Sequence, residues 1–200
     1  MKVELSIQAN YFPEWGVWEG VRELVANARD AEREFSAPLT VRHRKEGGVL
    51  ILENEGATLP HEALLLGFTT KQGQSEMIGR FGEGLKGGVL ALVRAGLAVK
   101  IRSGSEVWTP SIQRSEKFNA NVLVFDIEKG RKEQDRVAVE IGSVTVEAWE
   151  KFRQLFWIGP SVWRSAISKK SNFCTSAGSF SRPRATFFLI RTSCFMAVII

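Results

Sequence analysis

Residues 18–31 read WEGVRELVANARDA. On a helix turning about 100° per residue with Glu23 at zero, Asn27 falls near about 40° and Asp30 near about −20°. Val21, Leu24, Val25 and Ala28 take the opposite side. The spacing i, i+4, i+7 stacks a carboxylate, an amide and a carboxylate on one face of two turns. A carboxylate so placed can polarise a water for attack on a phosphate. An amide oxygen one turn away can hold Mg²⁺, which takes a few oxygen ligands beside substrate phosphates. The alternative is a solvated helix with a polar outer face.

The flanking sequence sets this helix in an α+β pattern. The spacing predicts a helix from about Val17 to Phe35, stopped by Ser36–Pro38. Ahead of it lie a strand at Val3–Ile7 and an aromatic loop, Tyr11–Trp18, carrying Pro13. Behind it, Leu39–Arg44 and Val49–Glu53 read as a hairpin turning at Glu46-Gly47-Gly48. Gly56–Gly79 has no clean period. A helix follows from about Gly82 to Ala95, then strands near Ala98–Ser103, Glu106–Arg114, Asn121–Lys129 and Arg136–Ile141. Thr145–Trp157 is an amphipathic helix. Strands and helices mix without a βαβ repeat, which predicts helices layered on one sheet.

Two further stretches carry chemistry. Ile51–Pro60, ILENEGATLP, ends a strand in Glu53-Asn54-Glu55-Gly56. An acidic group there can accept from the exocyclic amine of a base; an ordinary turn is the alternative. Gly67–Gly88, GFTTKQGQSEMIGRFGEGLKGG, places Gly79, Gly82 and Gly84 before an apolar helix. Glycines at a helix start let backbone N–H groups approach phosphate oxygens, and the helix dipole favours the anion. Thr69, Thr70 and Lys71 add hydroxyls and a cation. Neither a GxxxxGK[ST] order nor a dinucleotide fingerprint is present. A flexible loop with a helix cap is the alternative here.

In this order and spacing the three stretches resemble the GHKL superfamily: gyrase-type topoisomerases, the heat-shock chaperone ATPase, histidine kinases and MutL-type repair proteins. ELVANARDA resembles that family's N-box helix, ILENEGATLP falls where it has a DNGxG adenine motif, and IGRFGEGLKGG is close to its GxxGxG segment. The resemblance implies a Bergerat-type two-layer α/β sandwich, with helices on one face of a mixed, largely antiparallel sheet, over residues 1–160. It implies ATP and Mg²⁺ as ligands. Glu23 would be the general base, Asn27 the Mg²⁺ ligand and Asp30 a supporting residue. Glu53 would read the adenine, with Gly56, Thr69, Thr70, Lys71, Gly79, Phe81, Gly82, Gly84, Leu85 and Lys86 also around the nucleotide. The chain departs from the pattern at Glu53, one methylene longer than Asp, and at Glu55 and Ala57 in place of the motif's glycines. Histidine kinases usually lack a counterpart of Glu23, so the resemblance is to the hydrolytic branch. There ATP closes a lid and brings about dimerisation, which implies a homodimer or a protein partner. An ATP-gated interaction module without turnover is the second reading.

Composition bounds the rest. The 200 residues are 44% hydrophobic and 24% charged, a globular balance. No apolar run approaches the roughly 20 residues of a membrane span. The N-terminus MKVELSIQAN lacks a secretory apolar core, and Cys174 and Cys194 make neither a disulfide framework nor a metal site. A cytoplasmic protein without membrane partners is the expectation. The net charge of +5 is unevenly spread. Residues 1–150 hold all 22 acidic residues and 19 of the 27 Lys and Arg, a balance of −3; residues 151–200 hold the other eight, a balance of +8. Residues 161–200 are basic, acid-free and without period. The favoured reading is aberrant or frameshifted sequence replacing the end of the domain. The other is a functional extension that binds nucleic acid through its arginines and through Phe173, Phe180, Phe187 and Phe188.

The tail's charge is expected to give salt-sensitive, sequence-independent attachment to DNA. A fluorescence-anisotropy salt series on the full chain, with two unrelated duplexes, checks this. Affinity that resists salt and depends on sequence would instead mark the tail as a recognition element.

Overall fold

The computed structural model describes residues 1–65, 83–130 and 134–155. All belong to one unit, Met1–Ile167. Its elements in chain order are β1 (Lys2–Gln8), α1 (Val17–Phe35), β2 (Leu39–Arg44), β3 (Val49–Glu55), a 3₁₀ turn (His61–Leu64), α2 (Gly84–Arg94), β4 (Val99–Ser103), β5 (Glu106–Ser115), β6 (Ala120–Lys129), β7 (Arg136–Ile141) and α3 (Val146–Leu155). The strands form one seven-stranded sheet in the order β1-β6-β5-β4-β7-β3-β2. Every pairing among the described strands is antiparallel, in keeping with the largely antiparallel sheet that the resemblance implies. The fold class is α+β. No described helix is long and apolar enough to cross a membrane.

Each boundary has a local cause. Glu19 accepts from the Gly16 N–H at 2.8 Å, satisfying a donor at the start of α1. Ser36, at φ +52°, ends that helix in the left-handed region. Gly47 and Gly48, at φ +80° and +56°, turn the β2–β3 hairpin. A Cβ on Gly48 would also lie 2.8 Å from the Val144 carbonyl oxygen. β3 runs two residues past the expected Glu53, until Gly56 at φ +78° breaks it. The 3₁₀ turn was not expected, because Gly56–Gly79 lacks any helical period.

Alternation along the strands builds the core. Leu5 and Ile7 of β1, Leu123, Phe125 and Ile127 of β6, Trp108 of β5, Ile101 of β4, Ile141 of β7, Leu50 and Leu52 of β3 and Val41 of β2 are all buried. Cross-strand pairs such as Val41↔Leu52, Leu52↔Val139, Ile101↔Val139 and Ile101↔Trp108 keep them on one face. Trp108 and Phe125 meet edge to face, with centroids 6.4 Å apart. Val21, Leu24 and Val25 of α1 and Val89, Leu90 and Leu92 of α2 join the same cluster. α3 closes the β2 edge: Trp149 stacks on His43 and Phe152 on Trp18, while His43 Nε2 lies 2.8 Å from the Val144 carbonyl oxygen.

Two contacts fix α2. First, α1 and α2 cross backbone to backbone. A Cβ on Gly20 would lie 2.7 Å from Leu92 Cγ and 2.9 Å from the Gly88 oxygen; one on Gly88 would lie 3.1 Å from the Gly20 oxygen. Second, Arg94 at the end of α2 reaches back to the aromatic loop. Its Nη1 donates to the carbonyls of Ala9 and Tyr11, and its Nη2 to those of Phe12 and Trp15, all at 2.7–3.0 Å. Phe12, at φ +48°, stacks on Trp15 with centroids 4.3 Å apart.

Gly20→Val is expected to lower stability by about 1–3 kcal/mol, since overpacking a close crossing forces backbone movement. Urea unfolding followed by circular dichroism reads this directly; a midpoint equal to the parent's would show that the helices move apart at no cost.

Candidate functional site

The wedge on α1 points inward. Asp30 is fully buried, Asn27 is half-buried and the Glu23 side chain is 19% exposed. A solvated polar face is therefore not what this stripe forms. Glu23 and Asn27 meet the start of α2. A Cβ on Gly84 would lie 2.8 Å from Glu23 Oε2 and 3.4 Å from Asn27 Nδ2. Gly84 thus lets two polar side chains approach the first turn of α2 closely.

The donors and acceptors at this junction are partly committed. Asn27 Nδ2 donates to the Glu23 carbonyl at 2.8 Å, so its amide is tied back along its own helix through nitrogen. Its Oδ1 is the remaining acceptor. Glu23 Oε1 accepts from Arg22, at 2.7 Å from Nη2 and 3.1 Å from Nε. At α2, Glu83 occupies the N-cap without a side-chain cap bond. The Gly87 N–H already donates to the Glu83 carbonyl. The first N–H groups of α2 lack intrahelical partners, as at any helix start, and their dipole favours an anion. The Asn27 amide, nearest Gly84 through Nδ2, a carboxylate and a helix N-terminus meet at a glycine, groups of the kind that bind Mg²⁺ and phosphate. Among the described residues no group of three His, Cys, Asp or Glu could hold a metal by itself.

Two expectations are corrected. Glu53 does not face this junction. In β3, Leu50, Leu52 and Asn54 point to the helix layer, so Glu53 points to the opposite face. There its Oε2 accepts from Arg42 Nη2 and Arg136 Nη1, both at 3.0 Å. Asn54 takes the inward position, 4% exposed, with Nδ2 donating to the carbonyls of Ala28 and Ala37 at 2.9 Å each. Lys86 is not free for a ligand either. It is 1% exposed, and its Nζ donates to the Ala63 and Leu65 carbonyls at 2.8 Å. Burial lowers its pKa, a shift the Glu83 charge partly opposes. A buried ammonium must be bonded, and here Ala63 of the 3₁₀ turn and Leu65 just after it supply the acceptors.

The other expected residues divide into two groups. Gly56 ends β3 and donates its N–H to the Asp135 carbonyl; it serves a turn. The Leu85 side chain packs against the core, which leaves its backbone N–H in the first turn of α2. Thr69, Thr70, Lys71, Gly79, Phe81 and Gly82 lie outside the described residues, as does the 161–200 tail.

Sequence reasoning missed Tyr11 and Arg22 as well as Asn54. The Tyr11 hydroxyl donates to Glu83 Oε2 at 3.1 Å, and this bond raises its pKa, aided by the Glu83 charge. No local pattern foretells that pair, since its members lie 72 residues apart.

No protein-family model matches the chain. It is similar to an uncharacterized protein of Mycoplasma pneumoniae, with 24% identity over 181 residues, covering 87% of this chain and 73% of the relative. A span of 87% cannot fit within residues 1–160, so the match runs into the basic tail. Two solved structures of the ATPase region of Saccharomyces cerevisiae topoisomerase II align with 68% of this chain. The form bound to ICRF-187 (dexrazoxane) gives a TM-score of 0.43 at 13% identity, the other 0.39 at 14%. The chain spans only 43% and 39% of their lengths.

Proposed function

We propose that residues 1–160 bind ATP with Mg²⁺ in the GHKL manner and hydrolyse it slowly. The observation that supports this best is the convergence of Glu23 and Asn27 on Gly84, at the first turn of α2. It joins two of the three sequence stretches that resemble the family. In this reading Asn27 Oδ1 holds the metal, because Nδ2 is already spent on the Glu23 carbonyl. Bound Mg²⁺ would draw charge from the phosphate oxygens. Glu23 Oε2 takes a proton from the water whose oxygen bonds to the terminal phosphorus, and ADP leaves. The first N–H groups of α2 hold the phosphates.

The base-facing acceptor in this reading is Asn54 rather than Glu53. Both N–H bonds of its amide go to carbonyls, which leaves Oδ1 as an acceptor for an exocyclic amine. A carboxylate at this position would face the same two carbonyls with no hydrogen to offer.

Isothermal titration with ATP, with and without Mg²⁺, tests the binding. Mg²⁺-dependent heat displaced by ADP is expected; a folded sample giving neither would end the proposal. Glu23→Ala should lower turnover about 10²–10⁴-fold with affinity kept, as removal of a general base does. Asn27→Ala should weaken Mg·ATP binding itself. Equal loss of binding in both variants would make the helix face structural.

Asn54→Asp should weaken ATP binding, since a carboxylate has no hydrogen for the two carbonyls. Glu53→Gln should leave affinity within about twofold while lowering stability by about 1–3 kcal/mol, the cost of a charged hydrogen-bond partner. Calorimetry paired with urea unfolding separates the two effects. Tighter binding in Asn54→Asp would return the base-reading role to a carboxylate.

A further inference from the structure

Arg22 and Glu23 touch where a helix gives them no reason to. Successive side chains leave an α-helix about 100° apart and do not face each other. The ordinary partner of Arg22 is Glu19, three residues earlier. The Glu19 Oε2 accepts from the Gly16 N–H, the main cause that holds its pKa below the usual range, with the Arg22 charge adding less. Arg22 instead places Nη2 and Nε on a single oxygen, Glu23 Oε1, at 2.7 and 3.1 Å.

What bends it there is Trp15. The guanidinium carbon lies 5.8 Å from the Trp15 ring centroid, a distance at which the ring's face attracts a cation. The ring is itself immobilised. It stacks on Phe12, and both rings press on Gly87, where a Cβ would lie 3.0 Å from Trp15 and 3.1 Å from Phe12. Arg94 then fixes the backbone of this loop through its four carbonyl bonds.

We propose that Arg22, seated on Trp15, is a positioning residue for Glu23: by holding Oε1 from two nitrogens it fixes the carboxylate so that Oε2 faces Gly84. This rests on the Mg·ATP reading above. The carboxylate has two oxygens and one task. With Oε1 occupied, Oε2 is left on the side of the α2 N-terminus, where a Cβ at Gly84 would be only 2.8 Å away. Without Arg22, rotation about the last side-chain bond would exchange the two oxygens and spread the base over several orientations.

The test uses the full chain and measures ATP affinity by calorimetry, kcat and KM by phosphate release, and the Glu23 side-chain carboxyl signal by ¹³C NMR. Arg22→Ala is expected to lower kcat roughly tenfold with affinity within about twofold, as misplacement of a reacting group does. Arg22→Lys, or added guanidinium ion with Arg22→Ala, should recover part of that loss. Trp15→Leu should give an intermediate kcat. The NMR signal of Glu23 should change from one ordered environment to an averaged one in Arg22→Ala, with or without nucleotide. An unchanged or higher kcat, equal losses in kcat and affinity, or no recovery with lysine or guanidinium would overturn the proposal. Absence of ATP binding by the parent would overturn the ATP reading alone. The carboxyl signal then still decides on Arg22, and an unchanged signal in Arg22→Ala overturns its role.

Discussion

The crossing of α1 and α2 at Gly20 and Gly88 is the constraint on which the rest depends. Two helices with ordinary side chains at the contact keep their axes about 8–10 Å apart. Here the two glycines bring one backbone against the other's carbonyl oxygen. The helices pass in opposite senses, so contacts move up α1 as they move down α2: Gly20 meets Gly88 and Leu92, while Glu23 and Asn27 meet Gly84. The polar wedge is consequently laid along the first turn of α2. On the other side of α2, Lys86 is buried and its Nζ finds the carbonyls of Ala63 and Leu65.

The sheet contributes through parity. A strand has a side-chain period of two, so neighbouring residues serve opposite faces. Glu53 and Asn54 are both polar, both buried and adjacent, yet they belong to different parts of the molecule. One bridges Arg42 and Arg136 on the outer face; the other joins the α1 carbonyl at Ala28 to that of Ala37 on the inner. Which of them serves the helix layer depends on register, and the β2–β3 hairpin with its two left-handed glycines holds that register.

This explains which features were legible in the sequence. The bounds of α1 match the structure because a clear 3.6-residue period runs up to the stop at Ser36–Pro38. The hairpin was legible because its turn carries two adjacent glycines. That Glu23, Asn27 and Asp30 share one face was legible as geometry; that Glu23 and Asn27 meet another helix depends on α2. The parity of β3 was hidden: Val49-Leu50-Ile51-Leu52 is apolar throughout, so no alternation says which residues face the core. Lys86 was misread for a different reason. A lysine in a glycine-rich segment suggests a phosphate partner, and only tertiary contacts reveal that two carbonyls already claim it. The 3₁₀ turn at His61–Leu64 is too short to impose a period at all.

The Arg94 clamp has a consequence for how the chain reaches this structure. The loop between β1 and α1 is made early in synthesis, yet four of its carbonyls close on a guanidinium some 80 positions later in the chain. Chains are made from the N-terminus, at about 5–20 residues per second. The aromatic segment must therefore wait for several seconds of elongation, and for α2 to dock, before its backbone acquires this partner. β1 waits longer still, since it pairs with β6, more than 110 residues downstream. The N-terminal edge thus cannot form before β6 is made, with only β7 still to come to join β4 to β3, and no ordered intermediate built from the first 80 residues can contain it.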